Sequence, residues 1–324
     1  MLVIYYYIQN DTKNLVASLN SIISQTCVDF EFHLINDNQD LTINKIIESI
    51  SFAKIKKFFY LKSNKTINSG YYFSKIKQLN DGDYVWICNA GCVLQPDCVA
   101  KIREIIANND SPVIEISQDA NSTLPAASNQ TIDITDFSKF VANFSPYVYN
   151  KIYAVSFLKS NGIIFSENQS QSLHFFYLLL SHTTQFLKVN DGLVKYYDTV
   201  DNYINVYEII LMAETIISEN KTSKFWTDNL RLIEFYFMVY LIDIFVYYIF
   251  LNYTQMTPQS NAIISVKKII ENNFQTYDEN EAFKCPNCLD KNISNFIAND
   301  LDIFANPKKV IKNIINFYGA HKKN

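Results

Sequence analysis

The chain of 324 residues is 48% hydrophobic and 15% aromatic, with a formal charge of −4. A chain of this length builds its core without a disulfide framework, and its aromatic content excludes a disordered or solvating segment. The slight acidity excludes a dedicated nucleic-acid binder, which concentrates basic charge. Arginine occurs only at Arg103 and Arg231 while Asn, Lys, Ile, Tyr and Phe abound, the usage that AT-rich codons produce.

Leu2 to Ile8 is a continuous apolar run of strand length. It lacks a basic n-region and a small-residue cleavage site, so it reads as a buried first strand. The cysteines then read as reduced thiols of a cytoplasmic protein. Leu15, Leu19, Ile22 and Ile23 recur at helical spacing and predict a helix over Lys13 to Gln25. Phe30 to Ile35 predicts a strand ending in the polar turn Asn36-Asp37-Asn38-Gln39-Asp40. A helix carrying Ile43, Ile46, Ile47 and Ile50, a strand over Lys57 to Leu61, and a helix over Tyr71 to Leu79 follow. Tyr84 to Cys88 predicts a fourth strand, and Pro96 to Ala107 a helix with proline in its first turn. This alternation predicts an α/β fold with a largely parallel sheet. Its ligands would bind beyond the strands' carboxyl ends, near Ile8 to Asp11, Asn36 to Asn38 and Cys88 to Cys92.

From Asp110 to Phe144 the pattern weakens, and loop with edge strand is expected. Helices are expected over Tyr149 to Lys159 and Gln171 to His182. Phe186 to Val189 and Leu193 to Tyr197 flank Asn190-Asp191-Gly192, a hairpin signal. Beyond Asp201 the strands stop. Helices are predicted over Val206 to Glu219, Trp226 to Asn252, Asn261 to Asn273 and Pro307 to Tyr318. Cys285-Pro286-Asn287-Cys288 has zinc-knuckle spacing, but the chain offers no second pair to complete four ligands, so it reads as a turn.

Several of these pieces fall in a known order. Ile4 to Tyr7, then Leu15-x-x-x-Leu19-x-Ser21-Ile22-x-x-Gln25-Thr26, then Asp29-Phe30-Glu31 and Asn36-Asp37 resemble the opening of family 2 glycosyltransferases. Gly82-Asp83-Tyr84-Val85 resembles that family's approach to its metal-binding motif. Asn150-Lys151-Ile152-Tyr153, with Ser156-Phe157-Leu158 and Phe165, resembles its asparagine-lysine-leucine-tyrosine stretch. The resemblance covers residues 1–200. It implies a GT-A (Rossmann-like) domain there, with a mixed, mostly parallel sheet flanked by helices, followed by a helical appendage over 201–324.

The resemblance also implies a function. Such enzymes move a sugar from a UDP-sugar to an acceptor hydroxyl, and a divalent metal steadies the leaving diphosphate. The segment at the metal position reads Cys88-Asn89-Ala90-Gly91, without a carboxylate for a hard cation. The position of the general base reads Gln171-Ser172. Glu167 falls four residues early, and His174 two residues late is the nearest titratable candidate. The arginine of the segment before the fourth strand is also gone. Phe73 and its neighbours stand there, with Asn68-x-Gly70 as a faint echo and Lys75 or Lys77 as candidate phosphate contacts. Asp37 is retained, at the position that accepts a hydrogen bond from the uracil imide. Asn10 and Asp11 are further candidates for base or ribose contact, and Asp97, Asp133 and Asp136 are carboxylates that a loop could bring in.

The expectation is therefore a glycosyltransferase-like protein of cell-surface glycan synthesis that binds a UDP-sugar or glycan without catalysis and without a divalent metal. It would scaffold an active glycosyltransferase or another copy of itself. The alternative is an active, metal-independent transferase. Phe235 to Leu251 is apolar around its whole circumference, although Asp243 interrupts it. Lys308, Lys309, Lys312, Lys322 and Lys323 accompany an apolar stripe and suggest a peripheral anchor for anionic lipid at the inner membrane face.

Overall fold

The computed structural model describes residues 1–8, 14–63, 74–117, 129–145, 148–163, 172–196, 206–239, 241, 256–276 and 279–284. Candidates Asn10, Asp11, Asn68, Gly70, Phe73, Glu167 and Gln171 lie outside these residues, as do Cys285 to Cys288 and the lysine-rich tail.

Two compact units are formed. The first holds Met1–Asp136 and Tyr147–Asp201, the second Phe137–Pro146 and Asn202–Asn324. In the first unit, strands β1 (Leu2–Ile8), β2 (Glu31–Asn36), β3 (Lys57–Lys62), β4 (Tyr84–Asn89), β6 (Val113–Ile116), β7 (Gln130–Asp133), β8 (Lys151–Ala154) and β9 (Gln185–Val189) build an eight-stranded sheet of order β3-β2-β1-β4-β8-β6-β9-β7. β1, β2, β3 and β4 run parallel, and β8 enters antiparallel between β4 and β6. β5 (Cys92–Leu94) and β10 (Val194–Tyr196) pair in a small second sheet.

The alternation of side chains along β1 explains its uninterrupted apolar sequence. Leu2, Ile4, Tyr6 and Ile8 join one core with Phe32, Leu34, Trp86 and Cys88. Leu15, Leu19 and Ile22 of helix Leu15–Ile23, and Val99, Ile102 and Ile105 of helix Cys98–Asn108, complete that core. The intervening residues Val3 and Tyr5 are also buried, so both faces of the strand are covered. Helix Leu41–Ser49 adds Ile43 and Ile47 and starts at Asp40, whose side chain accepts a hydrogen bond from Thr42 N.

Five sequence expectations need correction. Lys151–Ala154 is a strand and only Val155–Ser160 is helical, where one helix was expected. Lys151, Ile152, Tyr153 and Ala154 are all buried, and an apolar run of that length has no periodicity to separate strand from helix. The turn at Gly192 does form, with φ +61°, but its flanking strands do not pair with each other. β9 joins β6 and β7, while β10 crosses to β5. Val113–Ile116 is an interior strand, whereas the edge strand is Gln130–Asp133. Pro96 precedes the helix Cys98–Asn108 and lies outside its first turn. The helix expected from Trp226 onward is divided at Asn229 into Lys224–Asp228 and Leu230–Val239.

In the second unit, Trp226 stacks on Phe274 at 6.1 Å and meets Phe237 edge-on at 5.6 Å. Tyr236 donates a 2.6 Å hydrogen bond to Phe144 O. Of the apolar run from Phe235, the residues Phe235, Tyr236, Phe237, Met238 and Leu241 are buried. Among the described residues, no helix is long and apolar enough to cross a membrane.

Candidate functional site

The carboxyl ends of β1, β2 and β4 lie side by side. Ile8 is in register with Asn36, and Tyr7 with both Ile35 and Asn89. The turn after β2 is built by a succession of short polar side chains folding onto their own backbone. Asn36, fully buried, donates through Nδ2 to Asn44 Oδ1 and to the Tyr60 hydroxyl, each at 3.1 Å. Its Oδ1 accepts Asn38 N at 2.9 Å. Asn38 Oδ1 then accepts Asp40 N at 2.8 Å, and Asp40 Oδ1 accepts Thr42 N at 2.7 Å. Gln39 Nε2 donates to Ser63 O at 3.0 Å and Ser63 N to Asn36 O at 2.9 Å, pinning the turn to the end of β3.

Asp37 sits within this braced turn and is half-buried. Tyr7, from the neighbouring strand, donates its hydroxyl to Asp37 Oδ2 at 2.9 Å. A hydrogen bond to a charged acceptor is worth about 1.5–3 kcal/mol. It holds the carboxylate at the sheet's carboxyl edge, where ligands of open α/β sheets bind. Tyr7 is a functional candidate that sequence reasoning missed. The alternation that sends Tyr6 into the core and Tyr7 to the other face was its only signal.

At the end of β4, the Cys88 side chain is buried in the core with Cys92 and Cys98. Burial, then the neighbouring Cys92 thiol, pushes the Cys88 thiol well above its ordinary range, and burial does the same to Cys98. These are protonated thiols facing the core. Ala90 and Gly91 are buried turn residues without a donor side chain, and Asn89 is described only through its backbone. The donor set that the segment offers does not fit a hard divalent cation. Among the described residues, no group of three His, Cys, Asp or Glu side chains is placed to hold a metal ion.

Ser172 opens the helix Ser172–His182, and His174 lies in its first turn, half-buried between Leu173 and Phe175, which are fully buried. Phe175 meets Tyr153 of β8 edge-on at 5.3 Å, so this helix packs on the sheet face that carries Tyr153. The three candidate loop carboxylates are placed elsewhere. Asp97 pairs with Lys101 at 3.0 Å on an exposed helix start. Asp133 is in register with Gln185 at the beginning of β9, the sheet edge opposite to the carboxyl ends, and accepts Thr135 N at 2.7 Å. Asp136 follows it there, its N–H donating to Asp133 O. Lys75 is half-buried and Lys77 exposed, in the turn after residue 73.

Three strands away from Tyr7, one buried ion cluster sits on the same sheet. Glu115 of β6 receives Lys151 Nζ at 3.1 Å and Lys188 Nζ at 2.7 Å. Lys151, from the asparagine-lysine pair singled out in the sequence, is fully buried and also donates to Asn150 Oδ1 at 2.9 Å. It braces β8 against β6 and β9.

No protein-family profile matches the chain, and no curated protein sequence matches it. Solved structures do. S. aureus TarS 1–349 in complex with UDP-GlcNAc superposes with a TM-score of 0.61 at 15% identity, over 88% of this chain and 85% of that one. The longer S. aureus TarS structure gives 0.60 at 17% identity, covering 94% of this chain and 54% of the other. The mannosyltransferase PcManGT from Pyrobaculum calidifontis, in complex with GDP-Man and Mn2+, gives 0.50 at 10% identity over 84% of this chain and 74% of that one. The eight-stranded mixed sheet, its flanking helices and these superpositions establish that the chain has the GT-A fold of family 2-like glycosyltransferases.

Proposed function

We propose that the chain binds a UDP-sugar at the carboxyl edge of β1 and β2, with Asp37 reading the nucleobase, and that it does not transfer the sugar. The observation that carries the binding half is the Tyr7–Asp37 hydrogen bond of 2.9 Å within a turn braced by Asn36, Asn38 and Asp40. A carboxylate held in one orientation at this edge suits the single imide donor of uracil. Similar folds hold UDP-GlcNAc in one case and GDP-Man in another, which supports a nucleotide-sugar as the ligand class.

The loss of catalysis rests on the chemistry of the substituted positions. Cys88 faces the core as a neutral thiol, and Ala90 and Gly91 bring no ligand. Without a carboxylate there, the leaving diphosphate finds no metal held by this segment. Gln171-Ser172 at the position of the base cannot take a proton from an acceptor hydroxyl at neutral pH. Such a protein serves by holding a nucleotide-sugar or glycan, or by scaffolding an active glycosyltransferase. The lysines at 308, 309, 312, 322 and 323 are suited to rest it on an anionic membrane surface. Incubation with UDP-GlcNAc, followed by measurement of released UDP, tests the non-catalytic reading. Release at the buffer rate is expected, and release proportional to protein concentration contradicts it.

A further inference from the structure

The two strands that end the eight-stranded sheet are built differently. β7 is four residues long and exposes Gln130, Thr131 and Asp133, polar groups that discourage a further strand. β3 is six residues long, and its centre Phe58-Phe59-Tyr60-Leu61 carries no charge. Phe59 is 50% and Tyr60 43% exposed. We infer that β3 pairs with the β3 of a second copy of this chain, antiparallel about a two-fold axis at Tyr60, so that two sheets become one. The pairing requires no nucleotide and is independent of the reading of Asp37.

Rows of rings run out to this edge and stop there. On one face Tyr5 meets His33 at 4.7 Å and His33 stacks on Phe59 at 4.6 Å, along residues in register across β1, β2 and β3. On the other face Phe58 stacks on Phe52 at 4.3 Å and on Phe32 at 5.8 Å. Among the described residues, no strand pairs with the outer side of β3. An edge with apolar side chains on both faces is a template for strand addition unless it is guarded, most often by lysine. Lys57 is drawn back toward its own sheet, 3.9 Å from Glu31 and donating to Met1 Sδ at 3.3 Å, which leaves Lys62 as the guard.

The lysines also select the register. Residues directly opposite in an antiparallel pair project to the same face, and a two-fold axis normal to the sheet preserves its faces. The axis therefore runs through a residue, and the centre of the strand offers Phe59 or Tyr60. An axis at Phe59 sets Lys62 against Lys56 at both ends, a like-charge pair. An axis at Tyr60 sets Phe59 against Leu61, Lys57 against Ser63 and Lys62 against Phe58. No lysine then opposes another, and the Lys62 side chain lies over a ring, where a cation is favoured. Leu61 of the second copy closes the row that ends at Phe59. A second copy is the occupant these features favour, because the one segment supplies both the exposed rings and the groups that cover them.

Sedimentation of the full-length chain from about 1 to 200 μM tests the pairing, because a contact one strand wide lies at the small, weak end of interface sizes. A reversible monomer–dimer equilibrium without higher species is expected, since a two-fold contact closes at two copies. Phe59→Lys is expected to weaken the dimer at least about tenfold. In a Cys27→Ser background, Tyr60→Cys is expected to cross-link to its own counterpart under oxidised glutathione, because residues facing across the axis stand about 4.5–5.5 Å apart at Cα, within disulfide reach. Phe59→Cys in the same background faces Leu61 and is expected to stay largely unlinked. The sedimentation of the unmodified chain stands whether or not a variant folds. A monomer at every concentration overturns the proposal, and so does a dimer that Phe59→Lys leaves intact. Cross-linking by Phe59→Cys and not by Tyr60→Cys, or by neither, overturns it as well.

Discussion

Glu115 and Lys151 face each other in register across β6 and β8, with Lys151 Nζ 3.1 Å from Glu115 Oε2 and neither side chain accessible to solvent. Lys188 reaches the other carboxylate oxygen from β9, so three strands share one ion cluster in the middle of the sheet. Burial lowers the Lys151 pKa to about 8, against the pull of Glu115 in the other direction.

That shift has a defined sign. Between about pH 8 and the ordinary value of 10.5, the unfolded chain holds a proton on this lysine that the folded chain has released. Stability therefore rises with pH across this interval, and the cost of burying the charge is fully felt below it. The Cys88 and Cys98 thiols above about pH 9, and Tyr153 above about pH 10, work the other way, because burial raises all three and the folded state then keeps protons that the unfolded state loses. The change in stability between pH 7.5 and 9.5, read by urea unfolding, is expected to be less favourable in Lys151→Met than in the unmodified chain. An identical pH response in the variant contradicts this account.

Removing the acid is expected to be more damaging than removing either base. Glu115→Gln leaves two lysines without their shared carboxylate, Lys151 among them fully buried. Breaking a buried pair from one side typically costs about 3–5 kcal/mol. A loss in unfolding free energy below about 1 kcal/mol shows that the cluster is relaxed by water instead.

Asn36 ties the turn that carries Asp37 to both a helix and a strand. Asn36→Ala removes bonds to Asn44, Tyr60 and Asn38 N together and leaves Asn44 buried and Asn38 N half-buried without that partner, while the exposed Tyr60 hydroxyl can turn to water. A loss of about 1–3 kcal/mol in stability is expected, with weaker UDP binding because Asp37 is the next residue. A stable variant with unchanged UDP affinity contradicts the bracing role.

The orientation of β4 can be read by thiol chemistry. Cys88, Cys92 and Cys98 are buried, whereas Cys27 is partly exposed beside Arg103. Brief iodoacetamide treatment of the native protein at pH 8, followed by peptide mapping, is expected to modify Cys27 and to spare Cys88 and Cys98 until the chain is unfolded. Modification of Cys88 as fast as Cys27 shows that residue 88 faces solvent and not the core.

Strands β1, β2 and β4 were legible because a covered parallel sheet writes apolar runs between helices of clear 3.6-residue period. Leu2–Ile8 with Leu15–Ile23 is such a pair. The exposed edge strand β3 was legible from its aromatic run Phe58-Phe59-Tyr60. The Lys151–Ala154 strand was hidden by its direct continuation into helix Val155–Ser160, with no breaker between them. The Asp191-Gly192 turn was legible but its strand partners were not. A turn fixes local direction, while β9 and β10 take partners more than 50 residues away. At the site, Asp37 stood out as a turn carboxylate after a strand. Tyr7 did not, because Tyr5, Tyr6 and Tyr7 look alike until the register of β1 against β2 separates them.

The central claim is a nucleotide site at Asp37 that needs no divalent metal, and calorimetric titration with UDP, with and without Mn2+, tests it most directly. The account predicts binding of equal strength in both conditions, weakened at least about tenfold in Asp37→Ala, as expected for loss of a hydrogen bond to a charged group. Binding that requires Mn2+, or that Asp37→Ala leaves intact, would contradict it.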